Sequence, residues 1–254
     1  MVNYMVDKNF KIMGVSYGVI GDLVMGLPCL TYFEKKYPGS YKYWFIEKKV
    51  GFTAPLYLNH PLIDCIRITE DWSGFGPKDY EILNGCDVKC TTTNWKHDEQ
   101  DWYNHRGQVE ETARIAGIYD LKDVLTEDEL YPKLYPWFVP GYSDPNADTY
   151  SRNVLAGVMN KTIAIWPFAT AGDKLGRSPS PEWWNKLICL IHNSGYKVII
   201  MGHPREPRIP NIGDYCYCEE KGFFEQIKIS LACKMSIGTD SGNMWVLARI
   251  VIRH

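Results

Sequence analysis

Much is missing from this chain of 254 residues. No apolar run approaches the roughly 20 residues that cross a bilayer, so nothing marks a transmembrane segment. The opening Met-Val-Asn-Tyr-Met-Val-Asp-Lys lacks the apolar core of a secretory signal. Neither sign of charge dominates: 28 Lys and Arg stand against 30 Asp and Glu. Without a basic field, nucleic acid is a poor candidate for the main partner. The eight cysteines show none of the paired spacings a zinc site needs, so no metal is expected. Reduced, mostly buried thiols are the favoured state. No repeats or low-complexity stretches occur. These absences leave an ordinary globular chain, expected in the cytoplasm.

What is present is an alternation of strand and helix signals, over a length that suits one large domain or two small ones. The stretch from Lys11 to Pro28 organises the first half. A short apolar run (Ile12, Met13, Val15) breaks into Gly14, Gly18 and Gly21 and then into a helical pattern opening at Asp22. A strand feeding a helix through a tight turn reads this way. Such a turn exposes backbone N–H groups and one carboxylate at the carboxyl edge of a sheet, where open α/β folds bind ligands. Leu23 to Tyr37 reads as one helix, with Leu23, Leu27, Leu30 and Phe33 at helical spacing and a kink at Pro28. Tyr41 to Ile46 is a strand, Ala54 to Leu58 looks helical, and Cys65 to Ile68 is another strand. From Asp79 to Cys90 strand signals weaken. Thr91 to Arg106 is a polar, aromatic loop in which Trp95 and Trp102 offer stacking surfaces and Arg106 an anion contact. Gln108 to Ile118 is a clear helix.

Pro132, Pro136, Pro140 and Pro145 crowd the stretch from Leu130 to Asp148, as in a linker. A second α/β pattern follows. Thr162 to Pro167, Lys197 to Met201, Tyr215 to Cys218 and Met235 to Thr239 read as strands. Pro181 to Ser194, capped by Ser180, and Gly222 to Cys233 read as helices. The chain then turns through Asp240-Ser241-Gly242 into a last helix. The expected fold class is α/β, with two Rossmann-like domains of parallel strands, residues 1–140 and 161–254, joined by a linker over 141–160. A ligand-binding cleft is expected between them.

Three loops share one topological position, after a strand and before a helix: Gly18 to Asp22, Thr170 to Lys174, and Gly238 to Gly242. Small residues at a helix N-terminus turn free N–H groups and the helix dipole toward an anion, and a diphosphate is the natural guest. Lys174 adds a mobile cation if its loop neighbours the third. Taken singly, each has a plainer reading. Asp240 and Ser241 cap a helix, Lys174 is a solvated lysine, and Asp22 is a first-turn carboxylate on the dipole.

Together the segments resemble a known family. Gly18-Val-Ile-Gly-Asp-Leu-Val-Met-Gly-Leu-Pro-Cys-Leu is similar to the amino-terminal motif of the ADP-heptose lipopolysaccharide heptosyltransferases, glycosyltransferase family 9. Ile163 to Trp184 resembles the family's second-domain opening, and Val198 to Glu206 its next strand and glycine-acid loop. Leu231 to Ala248, with Asp240-Ser-Gly-Asn-Met, resembles its Asp-Ser/Thr-Gly hallmark, and His105 to Gly117 a helix late in its first domain. The matches fall in the right order.

The resemblance implies a two-domain B-type glycosyltransferase fold, with the nucleotide-diphosphate sugar, such as ADP-heptose, on the second domain and the acceptor on the first. It makes Asp22 the base of an inverting, metal-independent transfer with no cofactor. It places Thr170, Lys174, Glu206, Asp240, Ser241 and Gly242 on the donor; Gly21 is assigned to the acceptor side, and so, from the character of the polar loop itself, are Trp95 and Arg106. The acceptor is expected to be a glycan or lipid-linked glycan in surface-glycan assembly, which puts the protein in the cytoplasm or at the periphery of the inner membrane. Two departures bear on function. The family usually has a histidine soon after Asp-Ser-Gly, where this chain has Trp245 or its neighbours, so one polar contact is expected to be missing. Family members also continue past His254, so a shortened second domain is expected, with an exposed sheet edge open to self-association. The alternatives are a non-catalytic binding or scaffolding member of the same fold, and an NAD-dependent oxidoreductase. The latter would use Gly14, Gly18 and Gly21 as a loose dinucleotide fingerprint and Glu47 at the end of the next strand.

Overall fold

The computed structural model describes residues 11–15, 20–72, 74–90, 108–135, 159–169, 178–206, 209, 213–216 and 221–250. The chain forms two compact units, Met1–Trp137 with Arg249–Val251, and Phe138–Ala248 with Ile252–His254. The proline-rich stretch expected as a linker lies mostly outside the described residues.

The first unit is built on strands β1 (Lys11–Val15), β2 (Tyr41–Ile46), β3 (Cys65–Ile68) and β4 (Val88–Cys90), in the order β3-β2-β1-β4. All three pairings are parallel, with Lys11 opposite Tyr41, Ile12 opposite Val88 and Tyr43 opposite Cys65. Parallel neighbours need crossover connections, and helices on the sheet's faces supply them. Trp44, Phe45 and Ile46 are at most 1% exposed, as an internal parallel strand covered on both faces requires.

Leu23, Leu27, Leu30 and Phe33 are all buried, but the single helix expected there is two, α1 (Ile20–Met25) and α2 (Pro28–Lys36). Pro28 has no N–H to give the Val24 carbonyl, which instead accepts from Leu27 N–H at 3.2 Å in a tighter turn. A 3₁₀ helix over Lys48–Leu56, with Pro55 inside it, stands where a helix over Ala54 to Leu58 was expected. The weak signal after Asp79 hides helix α3 (Pro77–Asn84) before β4. Asp79 is buried, and its carboxylate accepts the N–H groups of Gly76 at 3.0 Å and Glu70 at 2.8 Å.

The helix expected over Gln108 to Ile118 is α4 (Gln108–Ile115), followed by short helices α5 (Leu121–Val124) and α6 (Glu127–Leu130). Cys29, Phe33, Cys90, Ala113, Ile118 and Leu121 form the core that α2, β4, α4 and α5 share. Around that core, Tyr32 Oη donates to Asp120 at 2.7 Å and Lys35 pairs with Glu129 at 2.6 Å. The Lys35 ammonium, helped by the Thr126 N–H, pulls the Glu129 carboxyl down to about 2. Lys42, 2% exposed, is compensated by the Glu34 carboxylate and by the Ser40 carbonyl at 3.0 Å.

His60 is 8% exposed, and burial pushes its imidazole down to about 4 from the usual 6.5. Its Nδ1 accepts the Leu62 N–H at 3.2 Å. The folded state therefore favours neutral His60, and its contribution is complete above the unfolded pKa. As pH falls from 6.5 towards 4 the unfolded chain takes up the proton first. Stability is then expected to drop by roughly 3 kcal/mol on this account. Urea unfolding of wild type and His60→Gln at pH 7.5, 6 and 5 checks this: the gap between the two should narrow as pH falls.

The second unit holds β5 (Thr162–Trp166), β6 (Lys197–Ile200), β7 (Tyr215–Cys216) and β8 (Met235–Gly238), in the order β7-β6-β5-β8 and again all parallel. The helices are α7 (Pro181–Asn193), α8 (Phe223–Ala232) and α9 (Gly242–Arg249). Ser180 caps α7 as expected, its Oγ accepting the Trp183 N–H at 3.3 Å. Ile163, Ile165, Trp184, Ile188, Val198 and Ile200 make the core between β5, β6 and α7. Every β5 residue is buried, and Trp166 Nε1 donates to Ser230 Oγ on α8 at 3.0 Å.

Cys29, Cys65, Cys86, Cys90, Cys189 and Cys233 are free thiols, of which Cys29, Cys86 and Cys90 are buried. Among the described residues no helix is long and apolar enough to cross a membrane, and no group of three or more His, Cys, Asp or Glu is placed to hold a metal ion.

Candidate active site

In the first unit the chain leaves β1 for β2 on one side and later returns to β4 on the other. The crevice beyond the carboxyl ends of β1 and β4 is therefore the point at which strand order reverses, the usual ligand position in such sheets. The helix that follows β1 in the chain is α1. Gly21 is buried and Asp22 is half-buried in the first turn of α1, while Leu23, Val24 and Met25 sink into the core. Burial of those neighbours fixes α1 and leaves Asp22 as the carboxylate of that turn. Trp95 and Arg106, in the loop after β4, lie outside the described residues.

The second unit repeats the arrangement, with the reversal between β5 and β8. Thr170 and Lys174 follow β5 and lie outside the described residues. The base of their loop is described: Ala169 N–H donates to Ser178 Oγ at 3.4 Å.

The loop after β8 carries Asp240, Ser241 and Gly242 into α9. Thr239 N–H donates to the Trp166 carbonyl at 3.1 Å, tying the loop to β5. Gly238 allows the close approach. A Cβ there would lie 2.7 Å from Met244 Cγ and Sδ and 2.9 Å from Trp166 Cβ. Met244 can swing aside, but the Trp166 Cβ is fixed to the strand. Gly238→Ala is therefore expected to cost about 1–3 kcal/mol and to displace the start of α9. Thermal unfolding with and without nucleotide checks both effects.

Asp240 is exposed, and Trp245 Nε1 donates to its Oδ1 at 3.0 Å. Trp245 stands in the stretch where the family pattern has a histidine, and its indole N–H is directed to Asp240. Thr239 Oγ1 and Ser241 Oγ are buried and have no hydrogen-bond partner among the described residues. Both belong to the loop that leads from β8 into α9.

Glu206 sits in the loop after β6. Its Oε2 accepts the His203 N–H at 3.1 Å and its own N–H donates to the His203 carbonyl at 2.9 Å, so the carboxylate shapes its turn. Gly202, at φ 146°, starts that turn in a conformation favouring glycine. Gln226 on α8, 4% exposed, clamps Gly202: its Oε1 accepts the Gly202 N–H at 2.7 Å, and its Nε2 donates to the carbonyls of Gly202 at 2.9 Å and Lys221 at 2.8 Å. Sequence reasoning passed over Gln226, Thr239 and the donor role of Trp245. A lone glutamine on the apolar face of α8 was the available signal for the first.

Glu47, which the oxidoreductase alternative needs at the end of β2, is 3% exposed and paired with Lys49 at 2.5 Å.

Compared as a sequence, the chain matches no family model and no curated protein. Compared as a structure, it matches E. coli ADP-heptose LPS heptosyltransferase II over 94% of this chain and 82% of that one, with a TM-score of 0.61 at 15% identity. It matches the family 9 glycosyl transferase of Veillonella parvula over 97% and 79%, with a TM-score of 0.65 at 14% identity. The chain has the heptosyltransferase fold. E. coli heptosyltransferase WaaC with ADP-2-deoxy-2-fluoro heptose is a third match, over 94% of this chain and 86% of that one, with a TM-score of 0.53 at 16% identity. At these identities the likeness is one of fold. The heptosyltransferase fold accounts for the two parallel sheets and for the placing of both acidic loops at strand carboxyl ends.

Proposed function

We propose that this protein is a glycosyltransferase that moves a sugar from a nucleotide-diphosphate donor to a hydroxyl acceptor. One observation carries the reading. Each unit of a heptosyltransferase-like fold presents an acidic loop at the carboxyl ends of its strands, Asp22 after β1 and Asp240-Ser241-Gly242 after β8. Free N–H groups at the start of α9, the hydroxyls of Thr239 and Ser241, and the sequence-assigned Thr170 and Lys174 receive the diphosphate. Glu206 takes the nucleotide ribose. Gly21, Trp95 and Arg106 line the acceptor side.

The reaction is a single displacement with inversion. The acceptor oxygen attacks the anomeric carbon, the bond to the diphosphate oxygen breaks, and the nucleoside diphosphate leaves with its electron pair. Asp22 takes the proton of the attacking hydroxyl. The helix N-terminus and Lys174 meet the leaving charge, so the scheme requires no metal and no cofactor. ADP-heptose is the donor to try first, because two of the similar structures hold ADP or an ADP-heptose analogue. A glycan or lipid-linked glycan on the cytoplasmic side is the acceptor class. A second copy joining along the β8 edge belongs to the same reading, and sedimentation equilibrium checks it.

The deciding experiment is calorimetry with ADP followed by an ADP-release assay with ADP-heptose and heptose-deficient lipopolysaccharide. Binding with turnover supports the reading, binding alone across a donor and acceptor panel supports the non-catalytic alternative, and neither removes both.

A further inference from the structure

Asp240 poses a problem that the donor site alone does not solve. A carboxylate and a diphosphate are both anions and both acceptors, so at a helix N-terminus they compete for the same N–H groups and repel each other. An ionised Asp240 therefore suits the neutral, hydroxyl-bearing part of a donor, since hydroxyls can give it protons to share. To do so selectively, the carboxylate must hold one orientation. On an exposed aspartate a donor on a fixed neighbour serves that purpose.

The Trp245 indole provides it. We propose that Trp245 is a positioning residue: its N–H, 3.0 Å from Asp240 Oδ1, holds the carboxylate turned toward the donor's sugar. Asp240 thereby distinguishes the sugar-bearing nucleotide from the bare nucleoside diphosphate. This rests on the donor-site reading given above. An indole N–H suits the task because it donates only and carries no charge, so it orients the carboxylate without neutralising it. Its mounting is stiff. Trp245 N–H closes a helical bond to the Ser241 carbonyl at 3.0 Å, the adjacent Val246 is fully buried, and Met244 packs against Gly238 on the other side of the turn.

The test is calorimetry with ADP and with ADP-heptose, in the absence of acceptor, on wild type, Trp245→Phe, Asp240→Asn and the double variant. Phenylalanine keeps the ring and removes the N–H. Trp245→Phe is expected to weaken ADP-heptose binding about fivefold while leaving ADP within about twofold. In the Asp240→Asn background it should add nothing, because its effect passes through that carboxylate. Equal losses for both ligands would mark Trp245 as merely supporting α9 and overturn the proposal, as would an undiminished effect in the Asp240→Asn background. If wild type binds both ligands and the phenylalanine variant matches it, the positioning role falls alone. If wild type binds neither, the donor-site reading fails and takes this inference with it.

Discussion

Asp22→Asn is expected to lower sugar transfer by about 10²–10⁴-fold while leaving nucleotide affinity unchanged, the loss typical of removing a positioned general base. Asparagine keeps the shape of the side chain and its place in the first turn of α1 but cannot accept the acceptor's proton. The donor-side groups assigned here belong to the other unit, so ADP should bind as before. The plainer account of Asp22, a first-turn carboxylate favoured by the helix dipole, makes the opposite forecast: a stability loss of about 0.3–1 kcal/mol and no loss of rate. Measuring ADP release and thermal unfolding on one preparation separates the two. Equal turnover by wild type and variant would remove Asp22 from the chemistry.

The parts of this protein legible in its sequence are those where one local rule acts unopposed. β2 and β5 are short apolar runs flanked by turns, and α7 has a serine cap, a first-turn proline and a regular apolar face, so each was found within a residue or so of its bounds. The continuous helix expected from Leu23 to Tyr37 failed because side-chain periodicity carried the reading. The periodicity is real, since Leu23, Leu27, Leu30 and Phe33 are buried, but the backbone hydrogen bonds at Pro28 divide it. Helix α3 and strand β4 were obscured because the helix is short and partly exposed and the strand covers only Val88–Cys90.

The candidate site divides in the same way. Its loops were visible as glycine-acid clusters after strand signals. Their fastenings were not, because Trp166 to Ser230, Gln226 to Gly202 and Trp245 to Asp240 are each one side chain's polar atoms meeting one other residue. Two of these link residues far apart in the chain, and no periodicity encodes such a meeting. Trp245 is the instructive case. As a departure from a family pattern it showed only what was absent, whereas its indole N–H is a donor to Asp240.

Gln226→Ala is expected to destabilise the protein by about 2–6 kcal/mol, since it leaves the buried Gly202 N–H and carbonyl without the side chain that satisfies them, at roughly 1–3 kcal/mol each. Removing the whole side chain also opens a void on the buried face of α8. For a chain of this size the melting temperature should fall by about 4–24 °C. Gln226→Glu should do no better despite its shape, because a carboxylate has no N–H for the carbonyls of Gly202 and Lys221 and would bring a charge into a site 4% exposed. The consequence reaches the proposed ribose contact. Glu206 lies four residues beyond Gly202, in a turn whose first residue Gln226 holds on both its N–H and its carbonyl. If Glu206 receives the ribose, added ADP should raise the melting temperature of the variant by less than it raises that of wild type, since affinity for the folded state sets that rise. Equal ADP-induced rises in the two proteins would separate the clamp from the nucleotide site and leave Gln226 a purely structural residue.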